Sequence, residues 1–130
     1  MSHFTKLKTQ IKNVDAFIAA MAELGFNNVS RNVEVVDFYG KKLIADVSVK
    51  VGERYDAALV RNGTAYDLTA DFWGLRGTGK FPKFTTDEAL QNRFLQLTTK
   101  HAVIADARRQ GLRIASQTED EEGNVVLNLA

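Results

Sequence analysis

The segment Gly74-Leu75-Arg76-Gly77-Thr78-Gly79-Lys80-Phe81 has the spacing of a phosphate-binding glycine loop. In such a loop, backbone amides and the lysine hold phosphates, and the Ser or Thr that follows the lysine binds magnesium. Here Phe81 occupies the position of that hydroxyl, and Pro82 comes next. The sequence therefore favours a flexible glycine-rich connection over a nucleotide-hydrolysing site.

The same stretch, residues 73–84, mixes basic and aromatic side chains: Trp73, Arg76, Lys80, Phe81, Lys83 and Phe84. Aromatic rings can stack on single-stranded bases while Lys and Arg neutralise phosphates. The alternative is that the rings fix a loop to the core. The sequence favours this alternative, since no broader basic groove accompanies the loop. These six residues are the candidate ligand or partner loop.

Titratable residues elsewhere do not converge on a catalytic site. Asp56, Asp67 and Asp71 are predicted on one hairpin face, too far apart to share a metal ion, and are interpreted as a solvated acidic face. His101 falls on an apolar helical stripe, and the chain offers no cysteine and no nearby glutamate at zinc spacing. No catalytic, cofactor-binding or metal-binding residue is assigned, and we expect a protein that is not an enzyme.

The composition is that of one globular domain covering residues 1–130, with 45% hydrophobic and 25% charged residues. The absence of cysteine excludes disulfides and thiolate metal sites. A net charge of +1 argues against a protein that depends on duplex nucleic acid. No stretch has the length and hydropathy of a membrane span, so we expect a cytoplasmic location.

Hydrophobic periodicity predicts alternating strands and two long helices. The first helix is predicted at 14–24, capped by Asn13 and ended by Gly25. The second is predicted at 86–110, with Thr85 as its cap and Gly111 at its end. Its predicted core stripe contains Leu90, Phe94, Leu97, His101, Ile104 and Arg108. The predicted strand runs are 3–11, 29–36, 43–51, 55–61, 64–71, 113–118 and 124–129, with turns at 39–41 and 119–123.

The dipeptide Asn62-Gly63 indicates a type I′ hairpin turn that pairs Arg61 with Thr64. Alternate residues should then form an apolar face: Tyr55, Ala57, Leu59, Tyr66, Leu68 and Ala70. The opposite face should be mostly solvated. In the next strand run, Leu43, Ala45, Val47 and Val49 are also predicted on one face.

This order predicts an α+β fold: an antiparallel-rich sheet with two helices on one face, suggesting two related βαββ halves around a connecting strand. Such a sheet can leave its other face in water. That open face, or a sheet edge, is the candidate partner surface.

The opening Met1-Ser2-His3-Phe4-Thr5-Lys6-Leu7-Lys8-Thr9-Gln10-Ile11 resembles that of the hypothetical chloroplast open reading frame thirty-five family. Further similar segments are 55–63, 66–68, 107–112 and 121–127, so the resemblance spans nearly the whole chain. The family is a domain of unknown function in plastids, cyanobacteria, some other bacteria and phages. The resemblance implies residence in the cytoplasm, the plastid stroma or, for a phage protein, the host cytoplasm. It transfers no catalytic residue.

Two hypotheses of function follow. The first is an accessory or adaptor domain that binds a protein partner, and the resemblance implies an AAA-type ATPase as one candidate, because family genes often lie near a gene for one. The second is binding of RNA or single-stranded nucleic acid through the loop 73–84. Homodimerisation through a sheet edge stays open.

Overall fold

A computed structural model describes residues 4–36, 42–53, 55–119 and 125–129 of the chain. The turn predicted at 39–41 and most of the hairpin tip predicted at 119–123 lie outside these residues. The described elements are β1 (Phe4–Ile11), α1 (Val14–Glu23), β2 (Val29–Val36), β3 (Lys42–Lys50), β4 (Asp56–Asn62), β5 (Ala65–Asp71), α2 (Phe72–Gly77), α3 (Asp87–Arg109), β6 (Ile114–Glu119) and β7 (Val125–Leu129).

The main sheet has five strands in the order β1-β5-β4-β3-β2, and every neighbouring pair is antiparallel. Both long helices cover the same face, since one core cluster contains Phe17 and Met21 of α1, Phe94 of α3, and Leu59 and Leu68 of the central strands. The predicted α+β class, with an antiparallel sheet and two helices on one face, is confirmed.

The helix ends follow the local signals in the sequence. The Asn13 side chain accepts a hydrogen bond from Ala16 N and caps α1, as predicted. Gly25 and Gly111 both have positive φ, at 97° and 77°, as the ends of α1 and α3 require. The predicted cap of α3 is wrong by one residue: Thr86, not Thr85, accepts from Ala89 N at 3.1 Å.

The β4–β5 hairpin differs from the prediction in its turn. Asn62 pairs with Ala65, so Gly63 and Thr64 form the two-residue loop. Gly63 has a φ of 65° and Thr64 has no positive φ, which fits a type II′ turn with Gly first rather than type I′. Leu59 therefore lies opposite Leu68 instead of Tyr66. This shift of two residues leaves every side chain on its predicted face.

The apolar face predicted for β3 is divided between the two sides of the sheet by a bulge in that strand. Ala45 pairs with Val60 and Val47 pairs with Leu59, so Asp46 is an extra residue on β3. On β2, Asn32 has a φ of 53°, in the left-handed region. Val47 and Val49 consequently join the helix-covered core, whereas Ala45 and Leu43 join a second cluster with Ala58, Val60, Val33 and Val35.

The sheet face opposite the helices is not the solvated surface predicted from the sequence. Ala58, Val60, Asp67 and Thr69 on this face are 3%, 7%, 2% and 1% exposed. The second cluster explains part of this burial. The open sheet face is therefore rejected as a partner surface for these strands, while β1 and β2 remain the outer strands of the five-stranded sheet.

Two further predictions are corrected in the second half of the chain. Arg108 is exposed, and Ala107 is buried in its place at the end of the α3 core stripe. The strands β6 and β7 pair with each other in a separate two-stranded sheet. The second βαββ order is thus present along the chain, but its hairpin does not extend the main sheet as β2 and β3 do.

Candidate functional site

The glycine-rich stretch begins with a short helix, α2, where the sequence predicted a loop. Asp71 caps this helix by accepting a hydrogen bond from Gly74 N at 2.8 Å. Gly74 is buried, and a Cβ atom at this position would lie 2.3 Å from Cε1 of Tyr55. Close packing against Tyr55 explains why glycine occupies the first position of the phosphate-loop spacing. The helix α2 stands where phosphate binding would require an open loop of backbone amides.

The candidate loop 73–84 divides into side chains engaged by the fold and side chains facing solvent. Phe81 is 6% exposed, and its ring centroid lies 5.8 Å from those of Phe26 and Phe94. Phe84 is half-buried against the same core cluster. These two rings fix the segment to the core, which is the structural role that the sequence analysis favoured.

The basic residues of the loop have different surroundings. Arg76 donates to Asp87 at 2.6 Å and to Thr85 O at 2.9 Å, so it links α2 to the start of α3. The Lys80 ammonium lies 5.6 Å from the Phe26 ring centroid. Trp73 is 45% exposed, and Lys80 and Lys83 are exposed. Of the six candidate residues, these three face solvent.

The three aspartates do not form the predicted solvated face. Asp56 is exposed, whereas Asp67 and Asp71 are buried. Asp67 accepts a hydrogen bond from the Asn62 amide at 3.2 Å, and Asp71 caps α2. The described residues contain no group of three or more His, Asp or Glu side chains placed to hold one metal ion.

His101 is a boundary residue that takes part in an ion-pair cluster between the two long helices. One oxygen of Glu23, at the end of α1, lies 2.5 Å from Lys100 Nζ and 3.0 Å from His101 Nε2. Partial burial raises the pKa of Glu23, but hydrogen bonds and charge from Lys100 and His101 outweigh it. The pKa of Glu23 therefore lies below its ordinary value. This arrangement joins the helices and explains the histidine without a ligand.

An apolar groove, which the sequence analysis missed, runs between the end of β1 and the flank of α3. Its apolar lining is formed by Ile11, Leu95, Ala102 and Val103, and Thr98, Thr99 and Asp106 are among its polar residues. The cavity volume is about 570 Å³. Val103 is 48% exposed. The only signal in the sequence is a second helical stripe on α3, and it is weak because alanine and threonine occupy much of it.

A second recess continues from this groove, and the two share Lys12 and Asn13. Its lining includes Arg31 of β2 and Arg109 of α3, together with Asp15 in the first turn of α1. We call the first cavity the apolar groove and the second the basic recess. Together they form a continuous concave surface on the described residues.

Comparison with known proteins places the chain in a family. Residues 20–128 match the family described as "Protein of unknown function (DUF1257)", and the chain belongs to this family. The chain is 25% identical over 131 residues to "Uncharacterized protein ycf35" of Guillardia theta, covering 99% of this chain and 96% of that protein. It is 24% identical over 132 residues to the protein of the same name from Cyanophora paradoxa, covering 98% and 94%.

These relatives confirm the resemblance stated from the opening residues, at low identity and over nearly the full length. No solved structure matches the chain. Within the part of the chain that the structure describes, no helix has the length and apolar character to cross a membrane.

Proposed function

We propose that this chain is a non-enzymatic adaptor domain that binds another protein through the apolar groove. The observation that carries the proposal is the exposed aliphatic surface on α3, where Val103 is 48% exposed beside a concavity of about 570 Å³. Contiguous apolar surface left in water is typical of binding sites. The hydroxyl of buried Thr98 in the groove wall donates a hydrogen bond to Phe94 O at 2.8 Å.

The first candidate partner is the AAA-type ATPase that the family resemblance implies. The action is proposed in the cytoplasm or, by analogy with the ycf35 relatives, in the plastid stroma. Three side chains that could take part in catalysis, those of Arg76, His101 and Asp71, are engaged in contacts between elements of the fold. Their structural roles support a binding function over a catalytic one.

Affinity purification of the tagged chain from lysate of its own host, with and without nuclease, tests this function. The comparison uses wild type, Val103→Glu in the groove, and Asn92→Glu, which adds the same side chain at an exposed position of α3 outside the groove. A stoichiometric protein that survives nuclease, is kept by Asn92→Glu and is lost by Val103→Glu is the expected result. Equal recovery by both variants would refute the groove as the binding surface.

The alternative function is binding of RNA or single-stranded nucleic acid through the loop 73–84. The observation in its favour is that Trp73, Lys80 and Lys83 are exposed, an aromatic ring with two cations. Titration of Trp73 fluorescence with oligonucleotides at low and high salt tests it. Saturable binding that weakens steeply with salt would support this alternative. An unchanged signal at low salt would reject it.

A further inference from the structure

The apolar groove ends at a cluster of positive charge. The basic recess that adjoins it is lined by Lys12, Arg31 and Arg109 and by one carboxylate, Asp15, and a second carboxylate, Asp106, lines the groove itself. The two cavities share Lys12, so an extended ligand lying along α3 would contact aliphatic side chains first and cations next. The N-terminus of α1 at Asn13 adds the positive end of a ten-residue helix to the same region.

The cations of the recess are held only weakly by the fold. Arg31 lies 3.5 Å from Asp15, with side chains 57% and 88% exposed. Arg109 lies 3.0 Å from Asp106, with side chains 71% and 56% exposed. Exposed ion pairs of this kind contribute little stability, so an incoming carboxylate can replace the present partner at small cost. Lys12 forms no salt bridge with the described residues.

The chemistry of the groove favours a protein over a nucleic acid. The described lining of both cavities contains no aromatic side chain. Proteins that bind single strands rely on aromatic rings as stacking platforms beside their cations. Aliphatic side chains beside Lys and Arg instead match a peptide that carries aliphatic or aromatic anchors next to carboxylates.

We infer that the apolar groove and the basic recess form one docking site for a segment of another protein in which apolar side chains are adjacent to Asp or Glu. The apolar anchors fill the space between Ile11 and Val103, and the carboxylates pair with Lys12, Arg31 and Arg109. This inference rests on the proposed adaptor function and specifies the chemistry of its partner.

A random dodecapeptide library displayed on phage tests the inference with the intact chain as bait. Selected peptides are then synthesised and titrated against three proteins: wild type, Val103→Glu, and the double variant Lys12→Glu/Arg109→Glu. The matched control is Lys50→Glu/Arg108→Glu, which makes the same change in net charge at exposed positions outside both cavities.

We expect enriched peptides to place Leu, Ile, Phe or Trp beside Asp or Glu. Their Kd should rise about tenfold or more in both groove variants and stay near the wild-type value in the charge-matched control, with weaker binding at high salt. Failure to enrich any sequence, or enrichment of peptides that bind all variants equally, would overturn the inference. Enriched peptides without acidic residues that still depend on Val103 would refute the acidic chemistry while leaving the adaptor function standing.

A second copy of this chain is the competing occupant, since its own segment 119–127 places acidic residues before apolar ones. Light scattering after size-exclusion chromatography distinguishes this case. A wild-type dimer that Lys12→Glu/Arg109→Glu converts to monomer would overturn the assignment to another protein. A monomeric wild type that selects acidic peptides would support it.

Discussion

Replacing Gly74 by alanine tests the close packing of α2 against the loop before β4. Gly74 is buried within α2 and does not have a positive φ, so the backbone itself accepts an alanine. The obstacle is steric. The added Cβ would lie 2.3 Å from Cε1 and 2.7 Å from Cζ of Tyr55, and 2.9 Å from Oδ2 of Asp71. All three distances are far below van der Waals contact, so the Tyr55 ring or the helix must move.

Two opposing effects set the change in the free energy of unfolding for Gly74→Ala. Overpacking a filled site typically costs about 1–3 kcal/mol. Replacing glycine by alanine inside a helix returns up to about 1 kcal/mol of backbone entropy. The net expectation for Gly74→Ala is a loss of about 1–2 kcal/mol in the free energy of unfolding. A Cβ added at Gly77 in the same helix would meet no atom within 4 Å, and Gly77 has no positive φ, so Gly77→Ala should be neutral or slightly stabilising.

Urea denaturation followed by Trp73 fluorescence and by circular dichroism measures both variants. Gly74→Ala should unfold at lower urea than Gly77→Ala, with a similar m-value. The double variant Tyr55→Leu/Gly74→Ala should lose less stability than the sum of the single changes, because the shorter side chain leaves room for the new methyl group. Equal stability of Gly74→Ala and Gly77→Ala would refute the packing argument.

Three other predictions follow from single contacts. Asn32, with a φ of 53°, should tolerate glycine but lose about 1 kcal/mol or more on change to valine, measured by urea denaturation. Thr86→Ala should cost about 1 kcal/mol and Thr85→Ala clearly less, because Thr86 caps α3; the reverse order would restore Thr85 as the cap. The pKa of Glu23 is lowered in the folded chain, so its contribution to stability is present above the pKa of the unfolded chain and is lost as pH falls through the folded pKa. Glu23→Gln should therefore flatten the acid limb of a plot of stability against pH.

Local signals in the sequence predicted most of the elements because each depends on a few adjacent residues. Asn13, Gly25 and Gly111 act at the helix ends through contacts within one turn, and the structure shows all three in these positions. The same logic failed by one position at α3, since Thr85 and Thr86 offer the same hydroxyl. In the structure Thr86 is the cap, and the carbonyl of Thr85 accepts a hydrogen bond from Arg76.

The short helix α2 was missed because its cause lies in three dimensions. Gly-rich sequence predicts a loop by propensity. Here the Asp71 side chain caps the segment, and Phe72 and Leu75 bury completely in the core. Burial of these two side chains outweighs the poor helix propensity of Gly74 and Gly77. Beyond α2, Phe81 is buried in the core and Phe84 packs half-buried against it.

The two faces of the main sheet show that alternation of apolar and polar residues does not by itself predict which face is buried. Ala58 and Val60 lie on the face that was predicted to be mostly solvated, and both are buried there. The bulge at Asp46 completes that surface by turning Ala45 away from the helix side to join Ala58 and Val60. A hydrophobic period of two identifies strands, but a bulge changes which face each half of a strand occupies.

Because this sheet face is buried, we propose the flank of α3 rather than the sheet as the partner surface. A buried sheet face offers a ligand no apolar surface to cover, whereas Val103 keeps nearly half of its side chain in water beside the groove. Nothing in the packing of the core requires an aliphatic residue at that exposed position, and a polar side chain there would leave α3 equally helical. The groove is therefore one place where the described structure leaves apolar area exposed, and we propose that the cations of the basic recess select the partner that buries it.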